Sequence, residues 1–404
     1  MQALARLSPE VRQYLIVTGN YWAFTLTDGA LRMLVVLHFH SLGYTPLQIA
    51  ALFLFYEVFG VVTNLIGGYL GARLGLNRTM NLGLAMQVVA LLMLTVPAAL
   101  LTVPWVMGAQ ALSGIAKDLN KMSAKSSIKL LVPDSQQGTL YKWVAILTGS
   151  KNALKGVGFF LGGALLTLLG FAGAVLAMAA VLAVIWISSL VLLKKDLGKA
   201  KAKPKFKDIL SKSQAINVLS AARLFLFGAR DVWFVIALPV YLSTVFGWNF
   251  WMVGGFLACW IIGYGIVQSM APAITGKRSG KVPDGRAAFI WAALLAALPA
   301  AIAVGLTTDA SPQWVLIGGL LLFGALFAVN SSLHSYLIVS YAKEDGVSLD
   351  VGFYYMSNAM GRLIGTLLSG WVFQAYGLQA CLWVSSLFVL LAAIISLQLP
   401  RHTQ

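Results

Sequence analysis

Residues 194–212 read KKDLGKAKAKPKFKDILSK, eight lysines and two aspartates close to the midpoint of a 404-residue chain. A run this basic stays in water, and what flanks it is the opposite in character. The chain is 59% hydrophobic and 10% charged, with a mean hydropathy of +0.83. A soluble domain is roughly 45–50% apolar and 25% charged, so a water-soluble globule is excluded. Apolar runs of ~20 residues, enough to cross a ~30 Å hydrocarbon layer, recur on both sides of the basic stretch. They fall near 14–38, 46–71, 80–101, 105–128, 140–169 and 171–193 before it, and near 214–243, 249–275, 287–306, 314–341, 351–373 and 378–399 after it. The expected protein is an all-α membrane protein with 12 transmembrane helices in two six-helix halves, 1–193 and 214–404, joined by a basic cytoplasmic linker, 194–213.

The net charge of +16 would suggest nucleic acid on a soluble chain, but the placement of the charges argues for membrane topology instead. Of 29 Lys and Arg, 21 lie outside the spans or at their ends, all on one side: Arg6, Arg12, Arg73, Arg78, Lys125, Lys129, Lys142, the eight linker lysines, Lys277, Arg278, Lys281, Arg286, Lys343 and Arg401. Basic flanks are retained in the cytoplasm, so both termini and the linker are expected there, as an even number of spans requires. Trp105, Trp248, Trp251 and Trp314 end spans where aromatic rings suit the interface. The N-terminal MQALARLSPEVRQY lacks a short apolar segment with a small-residue cleavage site, so the first run is expected to remain as a span. Cys259 and Cys381 sit in apolar runs and read as small core hydrophobes, with neither a disulfide framework nor a metal site indicated. No cofactor is expected.

The two halves resemble each other. Asp28 to Gly60 and Asp231 to Gly263 have the same separation. NALKGVGFFLGG (152–163) is matched by NAMGRLIGTLLSG (358–370), with Lys155, Gly158 and Gly163 answering to Arg362, Gly365 and Gly370 at a constant offset. These matches point to a duplicated fold.

Eight basic residues fall inside spans, Arg32, Lys117, Lys121, Lys151, Lys155, Arg223, Arg230 and Arg362, with four acids, Asp28, Glu57, Asp118 and Asp231. An ionised side chain at the bilayer centre costs at least ~2.5–3.5 kcal/mol on insertion scales, so each must face an aqueous cavity or a partner. None lies on the third, sixth, ninth or twelfth span. Helical spacing gathers them into polar stripes: Tyr21, Thr25, Asp28 and Arg32; Gln110, Gly114, Lys117 and Lys121; Thr148, Lys151, Lys155 and Gly158; Tyr355, Asn358 and Arg362. At ~1.5 Å per residue, Lys117 lies ~18 Å from the outer end of its span, Lys151 and Lys155 ~16 and ~22 Å from the inner end of theirs, and Arg362 ~15 Å from its own inner end. That is midplane depth, where transporters hold substrate.

Two readings of these charges stand side by side. Asp28 with Arg32 and Arg230 with Asp231 could be ion pairs holding helices, and Lys117 and Lys121 could be neutralised by Asp118 and Glu57. Yet eight bases against four acids leave an excess of positive charge, which suits an anionic substrate gripped by Arg forks and Lys point charges. His334, among Asn330, Ser331, Ser332 and Ser335, reads first as a hydrogen-bonded structural histidine and second as a substrate or proton contact.

Twelve spans as six plus six around a basic loop resemble the major facilitator superfamily of secondary transporters. The superfamily's loop signature after the second helix appears as Gly68, Arg73 and Gly75, with Ala72 at the acidic position, and this makes Arg73 a gating candidate. Gly158, Gly162 and Gly163 resemble part of its fifth-helix antiporter motif, with Phe159 in place of the proline. The superfamily implies a monomer and outer supporting positions for the third, sixth, ninth and twelfth spans.

Three stretches, YWAFTLTDGALRMLVVLHFH (21–40), LFLFYEVFGVVTNLIGGYLGARLGL (52–76) and AQALSGIAKDLNKMSAKSSIKLLVP (109–133), resemble the arsenic-operon organoarsenical efflux permeases. The resemblance implies export of 1-arseno-3-phosphoglycerate across a bacterial inner membrane, conferring arsenate resistance. It implies a functional link, without physical contact, to glyceraldehyde-3-phosphate dehydrogenase, which makes the ester. On this reading Lys117, Lys121, Lys151 and Lys155 hold one anionic head, and Arg362 with Arg223 or Arg230 the other. Tyr21, Arg32, Asn358 and His334 complete the substrate set, and Asp28, Glu57, Asp118 and Asp231 are coupling or gating candidates. An organophosphate or organic-anion antiporter is the alternative. A membrane enzyme lacks support, since no nucleophile elbow, metal-ligand cluster or phosphate-cradling Gly loop is present. A cysteine introduced at Ala200 should react with an impermeant maleimide in inside-out vesicles and not in intact cells; the reverse pattern would invert the topology.

Overall fold

The computed structural model describes residues 8–44, 48–49, 52–193, 197–201, 205, 210, 212–276 and 282–401. Among them the chain is helical throughout its spans. Helix α1 is Pro9–Ser41, capped by the Ser8 hydroxyl with Pro9 at the first position, where its missing N–H costs nothing. Then come α2 (Leu54–Leu74), α3 (Leu76–Met93) and α4 (Val103–Leu131). The 56-residue helical run Gln137–Leu192 breaks at Gly170, whose φ of 68° is left-handed, into α5 (137–169) and α6 (171–192). The next span, α7, is Gln214–Thr244, followed by α8 (Phe250–Thr275), α9 (Gly285–Gly305) and α10 (Pro312–Tyr341). The final run Val347–Ser396 breaks at Gly377, φ 80°, into α11 (347–376) and α12 (378–396). Twelve spans are thus present among the described residues, and hydropathy alone flags only six helices, with each of the two broken runs counted once and none of the first four helices flagged.

The third span differs most from expectation, ending at Met93 rather than near 101. Hydropathy reads LTVPAALLTVP as apolar, but Pro97 and Pro104 have no N–H to donate, so the chain turns through a short 3-10 segment, Ala98–Leu100, before α4. At its other end α3 begins at Leu76 and takes Asn77 and Arg78 into its first turn. The start expected for the second span, near residue 46, lies partly outside the described residues, as do Arg6, Lys277, Arg278, Lys281 and part of the linker.

The packing divides the chain into two compact units. One comprises Met1–Leu140, Ser150–Ser211 and Ala342–Met356; the other comprises Tyr141–Gly149, Lys212–Tyr341 and Ser357–Gln404. In the first, Gly29 on α1 faces the Lys155 carbonyl and Gly158 faces the Leu26 carbonyl, so α1 and α5 touch backbone to backbone. In the second, Gly361 faces the Leu224 carbonyl and Gly365 the Gly228 carbonyl, bringing α7 and α11 together in the same manner. Small residues let helices approach this closely where no hydrophobic force favours one apolar partner over lipid. The second unit is filled by Trp233, Trp260, Phe323 and Phe327, with the Trp260 indole donating to the Leu320 carbonyl at 2.9 Å. Large apolar side chains point outward from α6 (Val184, Ile187, Val191) and α12 (Trp383, Leu387, Leu390, Ile394), two of the spans without internal charge. In water such faces would aggregate; in a bilayer they are the solvated surface. Cys381 is buried as expected, while Cys259 lies exposed on α8 rather than in the core.

A Cβ at Gly361 would collide with the Leu224 carbonyl oxygen, whereas one at Gly163 would meet only the end of Leu37 at 3.7 Å. Gly361→Ala should therefore cost about 1–3 kcal/mol as α7 and α11 are wedged apart, and Gly163→Ala close to nothing. Unfolding midpoints of the two variants in detergent check this; equal midpoints would contradict the crossing geometry.

Candidate functional site: cation clusters on two units

In the first unit the site is built around Asp28, buried on α1. The Tyr56 hydroxyl donates to both of its carboxylate oxygens, at 2.8 and 3.1 Å, and the Lys155 ammonium on α5 stands 3.8 Å from Oδ2. The same Tyr56 ring carries the Lys117 ammonium 3.7 Å above its centre and the Arg32 guanidinium at 5.5 Å. Arg32 also lies over Phe53 at 4.8 Å and approaches Glu57 to 3.9 Å. Lys121 bonds Asp118 one turn back at 2.7 Å, with Asp118 almost wholly buried. Lys151 donates to the neighbouring Asn152 side chain at 3.2 Å and lies within electrostatic range of Lys155, Lys121, Lys117 and Asp28. The four lysines expected to act together are therefore gathered. Tyr21 is buried within electrostatic range of Asp28 and Asp118, and its carbonyl accepts from Thr25.

In the second unit Arg223 on α7 is nearly inaccessible. Its Nε donates to the Asn358 side-chain oxygen at 2.8 Å, its Nη1 to the Ser331 carbonyl and hydroxyl at 3.4 and 3.3 Å, and its plane lies 3.7 Å over Phe227. Gln268 donates to the same Ser331 hydroxyl at 3.0 Å. About two turns further along α7, Asp231 is bracketed by two guanidinium groups. Arg230 Nε donates to Oδ1 at 2.6 Å, and Arg362 Nε from α11 donates to Oδ2 at 3.1 Å. Arg230 also rests over Phe227 and Phe327, at 4.9 and 5.5 Å. His334 is fully buried within electrostatic range of Arg223.

Several expectations change. Arg32 pairs with Glu57 on α2, and Asp28 takes Tyr56 on the same helix together with Lys155 from α5, so each finds its partner across a helix contact and not along α1. Lys117 finds an aromatic face and not a carboxylate. Arg230 reaches Asp231 although adjacent residues point apart on a helix, its three-carbon stem being long enough to fold back. Neither His334 ring nitrogen has a hydrogen-bond partner among the described residues. Arg73 ends α2, where its cation suits the helix C-terminus and Nη1 donates to Tyr69 at 2.9 Å; it joins neither cluster. Lys125 and Lys129, counted as loop flank, are buried within α4. Tyr56, Phe227 and Phe327 escaped sequence reading because an aromatic in an apolar run carries no signal of its own; Tyr355 stands out there only as part of a polar stripe.

Each unit thus holds more cations than carboxylates. The first sets Arg32, Lys117, Lys121, Lys151 and Lys155 against Asp28, Glu57 and Asp118; the second sets Arg223, Arg230 and Arg362 against Asp231 alone. Aromatic faces make up part of the difference, and a ring quadrupole stabilises a cation without cancelling its charge. Such surfaces attract oxyanions, Arg through a bidentate fork and Lys as a compact charge. Among the described residues no group of His, Cys, Asp or Glu is arranged to hold a metal.

A sequence model of the family described as Major Facilitator Superfamily matches residues 15–344 and 260–404. No match to the chain is found among curated proteins. Among solved structures the fold is similar to the human organic anion transporter MFSD10, with 16% identity over 96% of this chain and 100% of that one at a TM-score of 0.75. The Escherichia coli fucose:proton symporter FucP shares 14% identity, covering 95% and 98%, at 0.72. A bacterial homologue of the iron transporter ferroportin shares 15%, covering 95% and 98%, at 0.71. At these identities the likeness is one of fold.

Replacing Asp231 by Asn leaves two guanidinium groups facing each other across a neutral amide. Breaking a buried pair in this way costs ~3–5 kcal/mol, and the second change Arg362→Gln should recover part of it. A thermal double-mutant cycle measures the coupling; an unfolding midpoint of D231N equal to that of the unaltered protein would show that the triad does not bear on stability.

Proposed function

The chain is a member of the Major Facilitator Superfamily, a multi-pass membrane transporter and not an enzyme, and from that premise we propose that it exports an anionic organoarsenical phosphate ester, 1-arseno-3-phosphoglycerate. It works by alternating access, from the cytoplasm across the inner membrane, with both termini cytoplasmic and as a monomer. The observation that carries this reading is the excess of cations over carboxylates in each unit, at helix positions where an unmatched charge is costly. A molecule with two separated anionic heads suits a protein with two separate cationic groups. The resemblance of residues 21–40, 52–76 and 109–133 to the arsenic-operon permeases supplies the identity of the heads.

In this mechanism Lys117, Lys121, Lys151 and Lys155 receive one head, and Arg362 with Arg230 or Arg223 the other. Lys155 stands 3.8 Å from Asp28, which also accepts from Tyr56. Arg362 is held by Asp231 through Nε, which orients its guanidinium fork. Asn358 and Tyr21 position these groups, and His334 contributes a ring nitrogen to the second head. An interior-negative potential favours anion export by ~2.3 kcal/mol per charge per 100 mV, so the export step can run downhill without proton entry. Where protons are exchanged, Asp28, Glu57 and Asp118 are better placed to carry them than Asp231, which is locked between two arginines that stay charged.

Inside-out vesicles supplied with arsenate, NAD and glyceraldehyde-3-phosphate dehydrogenase should accumulate arsenic only when glyceraldehyde 3-phosphate is added. Lys155→Gln and Arg362→Gln should each lower the rate by about 10- to 100-fold, the scale of one lost charge-assisted contact, with the protein still present in the membrane. No accumulation while the ester is being formed would overturn the arsenoester and leave a carrier of another organic anion. Full activity in both variants would overturn the residue assignment.

A further inference from the structure

The basic linker does more than tether two halves. Its residues 197–201 are laid against the turn that joins α2 to α3, where two helix ends leave backbone groups without intrahelical partners. The Leu76 N–H, at the start of α3, donates to the Leu197 carbonyl at 2.8 Å, and the Ala72 carbonyl, in the last turn of α2, accepts from the Ala200 N–H at 2.8 Å. Gly198 makes the fit possible. Its φ of 73° is left-handed, and a Cβ there would collide with Leu76 and Leu130. Ala72 and Leu76 are wholly buried, so these two ties are shielded from water.

The next tie leads elsewhere. The Lys201 backbone N–H donates to Asp345 Oδ1 at 2.9 Å, in the connection between α10 and α11. Asp345 belongs to the second half of the sequence, yet Ala342–Met356 packs within the first unit. There the Ser348 hydroxyl donates to the Gly68 carbonyl at 2.8 Å, and Gly68 and Gly352 bring α2 and the start of α11 together backbone to backbone. The strap thus stands at one end on the α2–α3 turn and at the other on the segment that leads into α11. Lys201 and Asp345 are both exposed, so this tie, unlike the other two, is open to competition from water.

We propose that residues 197–201 are a latch that holds the start of α11 against α2 through the bond from the Lys201 N–H to Asp345, and that this bond breaks each time the two helices part during transport. The proposal rests on the alternating-access reading, in which one half moves against the other. The two buried ties stay with α2 and α3 and keep the strap in register for reclosing. The donor is the backbone, and the lysine side chain has no part in the latch.

The test reads the exposure of Ser348, which is fully buried. In the full chain carrying Cys259→Ala and Cys381→Ala, S348C supplies one thiol. This parent, purified into lipid nanodiscs, is labelled with a maleimide, so neither substrate nor sidedness enters the readout. D345A should label about 2- to 10-fold faster, the population shift worth one net hydrogen bond. K201P deletes the backbone donor and should match it, and D345A with K201P should be no faster than either alone, because both remove the same bond. K201Q keeps the backbone donor and should label at the parent rate. If K201P does not fold, Gly198→Val, which lifts the strap at its root, takes its place with the same expected rate. D345A at the parent rate overturns the latch, as does K201Q as fast as D345A, which would make the contact a plain attraction between side-chain charges. No labelling in any variant overturns the latch and alternating access together. Transport by the unaltered chain is measured alongside: a chain that moves no organic anion while the labelling pattern holds loses the proposed substrate and keeps the latch.

Discussion

An ammonium or guanidinium group removed from water must be re-solvated by protein, and much of this structure follows from how that is done. Carboxylates do part of this and aromatic faces add to it: Tyr56 under Lys117, Tyr355 under Lys121 and Lys125, and Phe227 under Arg223 and Arg230. The two kinds of partner have different consequences. A carboxylate neutralises the cation and holds it; a ring holds it and leaves its field largely intact. Polar satisfaction and excess positive potential are therefore compatible at the same helix positions.

Close helix approach makes the pairing possible, and it does so twice. Gly29 and Gly158 let α1 and α5 meet, and there Asp28 faces Lys155; Gly361 and Gly365 let α7 and α11 meet, and there Asp231 faces Arg362. The offset relating Lys155 to Arg362 also relates Gly170 to Gly377, the two left-handed residues at which each long helical run turns into the last span of its half. Duplication has preserved an acid, a base, their glycines and the following bend. The chemistry has diverged around that frame: a lysine at 3.8 Å whose acid is shared with a tyrosine in one unit, and an arginine at 3.1 Å in a three-membered cluster in the other. The first arrangement sets one cation on one acid; the second sets two guanidinium groups on one acid.

How far the sequence could be read depended on the kind of signal. Span number and the break at Gly170 were legible, because ~20 apolar residues and a glycine between runs are properties of the chain itself. The extent of the third span was not, since hydropathy treats proline as an apolar residue and ignores its missing N–H. The basic and acidic members of the site were legible as charges out of place. Their partners were not. Arg32 with Glu57 in place of Asp28, Lys117 with Tyr56 in place of a carboxylate, and His334 without a hydrogen bond all depend on which helix stands opposite.

The sequence by itself thus determined a duplicated twelve-span membrane protein with too many internal cations, because transfer free energy and helical period act on each segment separately. Tertiary structure alone decided which cations are neutralised, which are merely held, and that Lys125 belongs to the interior of α4 and not to its flank. Those outcomes turn on distances of a few ångströms between residues far apart in the chain. In a medium of low dielectric, such distances set whether a charge is cancelled or left to act.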